Sequence, residues 1–180
     1  MILMRINEIK GDCRFPNFDG WITLESFGFG TSRKIEQAKK GDGNDIETGG
    51  DGGDSQEFTC GKTTDISTIY LMYTAIKQRA TGDANTPFVV DIAFVEPRPI
   101  PGTEDKMIKA YLKIRFGKAL LKAWNLDGGA NERGTETLTF WYNQVAMSYD
   151  SSSDGKTWQT YGPRGWDQQA SADWTPSGWK

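Results

Sequence analysis

The amino-acid sequence predicts a mainly β protein, an antiparallel β-barrel of two sheets with one flanking α-helix. Three observations lead there. Apolar residues recur mostly at a period of two, as in Ile2, Met4 and Ile6 or Phe88, Val90, Ile92 and Phe94. A single stretch, after Asp65, carries helical spacing. Two apolar strands change parity midway, the mark of a β-bulge. Eight or so strands against one helix mean a barrel or a sandwich, and bulge-driven curvature favours closure. The whole of 1–180 reads as one domain, long enough to bury roughly 70% of its unfolded surface without a metal or disulfide staple.

The elements follow in order. A strand opens the chain, and the turn-rich GDCRFPNFDG (11–20) follows it. In WITLESFGFG (21–30), Ile22 and Leu24 hold one parity and Phe27 and Phe29 the other, which places a bulge near Glu25 and Ser26. Residues 38–55 are dense in Gly and Asp with Ile46 as their one large apolar group, so an exposed loop is expected. A short strand at 56–61 comes next. Ile66, Ile69, Tyr70, Tyr73, Ile76 and Ala80 then trace the stripe of an amphipathic helix, capped by Thr64 or Asp65, ended by Gly82, and packed on the outside or across an end of the barrel. Ile108, Ala110, Leu112, Ile114 and Phe116 alternate with Lys109, Tyr111, Lys113 and Arg115, which predicts one dry and one wet face. Gly117 permits a bend before a further strand to Trp124. A second parity switch falls near Asn143 and Gln144, and Asp154-Gly155 signals a hairpin back through 158–161. From about 166 the tail is expected to be irregular.

Composition narrows the function. Lys plus Arg number 21 against 24 for Asp plus Glu, a net charge of −3 that argues against a general nucleic-acid grip. The longest apolar run, Ile69 to Tyr73, is too short to span a bilayer. Histidine is absent, which removes imidazole-based nucleophile activation, general-base and zinc chemistry. Cys13 and Cys60 lack metal-ligand spacing, and both a pair of buried thiols and a disulfide between them stay open. Arg5 and Glu8 interrupt the apolar start, so no secretory leader is expected and the chain is expected to begin in the cytoplasm.

No chemical motif is compelling. GGDGGD (49–54) matches the first positions of a calcium-binding nonapeptide, but Gln56 stands where an apolar residue is needed and the repeat occurs once, so a solvated loop is the default. An EF-hand starting at Asp42 fails at Ile46 and Glu47. Glu132 and Glu136 are the nearest thing to a glycosidase pair, yet read better as surface groups. Trp21, Trp124 and Trp141 suit core or subunit contact, whereas Trp158, Trp166, Trp174 and Trp179 suit an exposed surface for a partner or a sugar. Lys109, Lys113 and Arg115 form a basic stripe, ordinarily a solvated strand face.

Taken together the blocks resemble the Hcp (haemolysin-coregulated) tube proteins of bacterial type VI secretion. MILMRINEIKGD resembles their opening strand, GWITLESFGFGTSR the second, and FTCGKTTDISTIYLMYTAI the strand and Asp-led helix after a Gly-rich loop. YLKIRFGKALLKAW, TETLTFWYNQVAMSYDSSSDGKT and GWDQQASADW resemble the central and closing segments, so the match covers roughly 1–174. The resemblance implies a structural subunit without catalytic residues, metal or cofactor. It implies hexameric rings of this chain that stack into a tube, expelled by a sheath with a spike and baseplate, and able to carry effectors in the bore. The protein would be translocated without a cleaved signal, with no nucleic-acid partner and no membrane insertion. Gly28, Lys109, Lys113 and Arg115 become candidate bore-facing residues. Asp42, Asn44, Asp45, Asp51 and Asp54 become candidates for a ring-stacking loop. A phage-like tail tube and a carbohydrate-binding sandwich are the alternatives.

Overall fold

The structure is a computed structural model, which describes residues 1–7, 9–31, 56–81, 87–100, 106–155 and 157–178, with side chains described in the helix only up to Lys77. It contains β1 (Ile2–Ile6), β2 (Ile22–Leu24), β3 (Ser26–Phe29), β4 (Glu57–Thr63), α1 (Thr68–Thr81), β5 (Phe88–Pro99) and β6 (Lys106–Asp127). β7 (Thr135–Trp141), β8 (Gln144–Ser151), β9 (Gln159–Asp167) and β10 (Ala172–Asp173) complete it. Every pairing is antiparallel.

The pairings close a circuit. β1 lies between β2 and β5, β5 pairs with β6, β6 with β7, β7 with β4, and β4 with β3. β2 and β3 are consecutive stretches of chain, so the circuit ends where it began. At the join, Glu25 donates its backbone N–H to the Gly61 carbonyl at 2.8 Å, where the parity of the apolar residues switches. The second switch behaves alike: β7 ends at Trp141 paired to β4, and β8 begins at Gln144 paired to β9. Both strands lie along β6, which runs 22 residues and serves both sheets.

The interior is aromatic. Phe58 stacks on Phe116 with centroids 4.0 Å apart and on Phe140 at 4.9 Å, and Phe27, Phe29 and Tyr142 pack around them. Met4, Ile6, Ile22, Val90, Ile92 and Ile114 fill the rest of this core. A smaller core lies on the other face of β1, β5 and β6, where Cys13, Phe18 and Trp21 of the segment before β2 cover Leu3, Ala93, Val95 and Ala110. Gly11 is required there, because a Cβ would stand 2.5 Å from the Ile22 Cα.

Several elements differ from expectation. The even-numbered residues of β6 do not share one dry face. Leu112, Ile114 and Phe116 belong to the aromatic core, whereas Ile108 and Ala110 belong to the smaller one. Between Phe94 and Val95 the register slips so that Tyr111 is the extra residue, and the side chains beyond it change sides. The bend after Gly117 does occur, with Lys118 at φ +50°. The tail is ordered further than expected: β9 continues to Asp167 and β10 pairs back upon it. β4 extends two residues past the expected Gly61 to Thr63.

The helix gives the main correction. Ser67, wholly buried, Leu71 and half-buried Ala75 face the barrel. The apolar stripe Ile66, Ile69, Tyr70, Tyr73 and Ile76 points away from it, each residue 50–68% exposed. Spacing of 3.6 identifies a stripe, but not the side that the fold covers.

Candidate functional site

The outer face of the sheet formed by β1, β5, β6 and β8 carries a charged row fixed by register. Arg5 pairs with Asp91, Asp91 with Arg115, and Arg115 with Ala146. Asp91 therefore receives two guanidinium groups: Arg5 Nη2 donates to Oδ2 at 2.5 Å and Arg115 Nε to Oδ1 at 2.6 Å. Arg115 also donates through Nη1 to the Ser177 carbonyl at 2.7 Å, which ties the tail to this face. The Arg5 guanidinium sits over the Trp21 ring, 5.1 Å from its centroid.

This row borders a hollow of about 420 Å³. Its lining includes Arg5, Lys113 and Arg115 with Asp91 and Asp150, and Phe18, Trp21 and Ile108 as apolar wall; Lys109 borders it between Ile108 and Ala110, and its side chain turns to the other face of the sheet. Both carboxylates are engaged. Asp91 lies between the two arginines, while Asp150 accepts from Thr160 Oγ1 at 2.8 Å and lies 3.5 Å from Arg98 Nη1. Lys109 and Lys113 have no acidic partner among the described residues. The hollow is thus edged by more cationic than acidic side chains, with Lys113 on the same sheet face as the aromatic wall.

The structure brings two of the sequence-predicted residues together and leaves two apart. Lys113 and Arg115 share the face of this hollow, whereas the slip at Tyr111 turns the Lys109 side chain to the other face, so the predicted basic stripe is split. Gly28 lies on β3 in the other sheet, exposed between Phe27 and Phe29, whose rings turn into the core. Asp42, Asn44, Asp45, Asp51 and Asp54, with the whole 38–55 loop and its calcium-like motif, lie outside the described residues.

A second polar cluster escaped sequence reading. Lys62 and Glu136 are wholly buried, with Nζ 2.5 Å from Oε1, and Lys62 also lies 2.9 Å from Asp65 Oδ1. Thr68 Oγ1 donates to Glu136 Oε1 at 2.5 Å and the Trp124 indole N–H to Oε2 at 2.6 Å. Asp65 accepts the Ser67 N–H at 2.9 Å, so the same cluster anchors the start of α1. Glu136 is therefore not the exposed surface acid its sequence context suggested. Its one visible signal is the odd placement of an acid among Leu138 and Phe140, at core-facing parity.

The cysteines are free and lie in different cores, Cys13 in the small one and Cys60 in the aromatic one. Burial pushes the Cys60 thiol far above its ordinary pKa, so it resists becoming a thiolate. Of the C-terminal tryptophans, Trp158 carries the Arg98 guanidinium 3.3 Å from its ring centroid, and Trp174 donates its backbone N–H to Gly165. Among the described residues no helix is long and apolar enough to cross a membrane.

Sequence and fold agree on a family. The family described as "Type VI secretion system effector, Hcp" matches residues 3–149. The chain belongs to the Hcp family. Its fold is likewise that of solved Hcp structures. A structure titled as a type six secretion system protein superposes with a TM-score of 0.75 at 18% identity, covering 96% of this chain and 98% of that one. A type VI secretion system effector from Yersinia pestis gives 0.62 at 13% identity, covering 93% and 99%. Hcp1 from Salmonella typhimurium gives 0.60 at 14%, covering 96% of each. Among curated proteins none matches by sequence. Hcp membership makes the chain a type VI secretion tube or effector protein, and the shared likeness spans the barrel, the helix and the closing strands.

Proposed function

We propose that this chain is the repeating subunit of a secretion tube, closing into hexameric rings that stack and are driven out by a sheath, with effectors able to travel in the bore. One observation carries the assembly reading. The barrel interior is filled by its own aromatics, yet α1 turns four large apolar side chains outward, with Ile66 exposed just ahead of it. A soluble subunit that leaves such a stripe uncovered has a surface to bury against another subunit. A ring needs a head-to-tail contact between two different patches, and a helix stripe against a neighbouring strand face supplies one.

A role without catalysis has independent support. Histidine is absent from the sequence, and Glu136 is committed to Lys62, Thr68 and Trp124. Sheath, spike and baseplate proteins are the partners this reading requires, and Gly28, Lys109, Lys113 and Arg115 remain its candidates for the bore. The acidic loop, with Asp42, Asn44, Asp45, Asp51 and Asp54, remains its candidate for stacking.

Light scattering after size exclusion, with negative-stain imaging, tests the proposal. Annular particles are expected from the native chain, and folded monomers from an Ile69→Asp, Tyr73→Asp variant. A native chain that stays monomeric at high concentration overturns the tube reading. Rings that survive the double variant overturn the assignment of the stripe to the ring contact. Deletion of 41–54 is expected to abolish stacking and leave single rings.

A further inference from the structure

Lys113 lies in the hollow beside β6 without a partner. Register sets its direction: it stands opposite Ala93 on one side and Ser148 on the other, and Ala93 belongs to the small core under Phe18 and Trp21. Its ammonium group therefore shares the face of the aromatic wall, and no other described residue bonds to it. Asn17, held at φ +70° at the exposed edge, likewise has a carboxamide with no bond among the described residues.

The other charges are matched. Asp91 is held between Arg5 and Arg115. Asp150 lies 3.5 Å from Arg98, which Glu96 also approaches at 3.2 Å. Arg5, Arg98, Lys113 and Arg115 thus meet Asp91, Asp150 and Glu96, which leaves one positive charge over, and Lys113 is the group without a counter-ion. Phe18 and Trp21 meet edge to face at 5.2 Å and, with Ile108, make one side of the hollow apolar. A volume of about 420 Å³ is more than an inorganic anion fills and suits a small organic molecule.

We infer that this hollow binds a small organic acid, its single carboxylate on the Lys113 ammonium and its apolar body against Phe18, Trp21 and Ile108. The charge-assisted hydrogen bond from Nζ orients the ligand, the wall removes its body from water, and Asn17 offers a second donor at the edge. Asp150 limits the charge. A dianion or polyanion brings surplus negative charge beside that carboxylate, so the site selects a monoanion over phosphate or nucleic acid. The inference concerns a single subunit and does not depend on ring formation.

Naphthalene-2-carboxylate serves as the probe, titrated calorimetrically into the full-length protein, with naphthalene-2-carboxamide as its uncharged counterpart. The acid is expected to bind about tenfold or more tightly than the amide, the scale of one hydrogen bond to a charged group. Lys113→Met is expected to bring the two affinities within about twofold of each other, and Lys113→Arg to keep most of the preference. Lys109→Met, altered on the other face of the sheet, is expected to leave it unchanged. Because the readout is a ratio of two ligands on one protein, a general loss of packing does not mimic it. The acid is also expected to shift the methyl resonances of Ile108 and Ala93, which inorganic phosphate and a single-stranded oligonucleotide leave in place.

No binding at millimolar probe, or equal affinity for acid and amide, overturns the inference. So does an acid preference that survives Lys113→Met or falls equally in Lys109→Met. Displacement of the probe by phosphate or the oligonucleotide overturns it as well, since the site is then a general anion site. Rings without probe binding remove this inference and leave the tube reading, whereas binding by a chain that stays monomeric does the reverse.

Discussion

Lys62 Nζ lies 2.5 Å from Glu136 Oε1 with both side chains entirely removed from solvent, joining β4 to β7 across 74 positions of sequence. The pair is also the socket of α1, because Asp65, Thr68 and Trp124 bond to the same two groups. Removing one partner leaves an uncompensated charge in the interior. Lys62→Met is therefore expected to cost about 3–5 kcal/mol, measured by urea denaturation. Adding Glu136→Gln, whose amide oxygen can accept from Trp124 while its N–H donates to the Thr68 hydroxyl, is expected to recover most of that loss. A single-variant cost below about 1 kcal/mol, the scale of an exposed ion pair, shows that the cluster is dispensable.

Phe58 touches more of the aromatic core than any one neighbour explains, since it stacks on both Phe116 and Phe140. Phe58→Ala opens a cavity that the stiff barrel wall cannot collapse around. The expected cost is about 3–5 kcal/mol, against less than about 1.5 kcal/mol for a volume-conserving apolar swap. Thermal or urea unfolding of both variants gives the comparison.

Asp167 closes the turn between β9 and β10. Gln144 Nε2 donates to its carboxylate at 2.5 Å and the Ala170 N–H at 2.9 Å, with Lys118 Nζ 3.6 Å away. The Gln144 bond first, then the Ala170 amide, holds the carboxyl below its ordinary pKa against the opposing effect of burial. A carboxylate depressed in the folded state contributes stability above its unfolded pKa, and loses it as pH falls through the folded value. Asp167→Asn is expected to flatten that acid limb of the stability profile, and carbon-13 titration of the carboxyl is expected to place its midpoint low. A midpoint at or above the ordinary aspartate value refutes the assignment.

Cys60 provides a probe of opening. Its thiol is buried and raised in pKa, so maleimide labelling of a Cys13→Ser chain at mildly alkaline pH is expected to proceed only as fast as the barrel opens. Mild denaturant is expected to accelerate it. Rapid labelling of the folded Cys13→Ser chain contradicts the burial.

Much of this architecture is legible in local pattern, and the reasons are particular. The parity switches at Glu25 and at Asn143–Gln144 are visible because each moves a run of apolar residues to the other face, and both mark places where a stretch of chain changes sheets. The slip at Tyr111 is invisible because apolar residues continue in step on both sides of it, first into one core and then into the other. The helix stripe is visible, but its direction depends on small contacts at Ser67 and Ala75 that carry no strong hydropathy. The Lys62–Glu136 pair depends on register between distant strands, as does the convergence of Lys113 and Arg115 with Arg5 and Asp91. The alternation of basic residues along β6 is readable, whereas the slip that parts Lys109 from Lys113 and Arg115 is not.

The place of β1 in the circuit bears on how the chain is made. Its residues leave the ribosome before those of the other described strands, but Leu3 pairs with Ala93, so one edge of the strand waits for some ninety more residues before its ladder is complete. At about 5–20 residues per second that interval lasts seconds, during which Leu3, Met4 and Ile6 have only β2 beside them. Barrel closure is therefore a late and non-local event, expected to make refolding slow and to make the nascent β1 a target for chaperones.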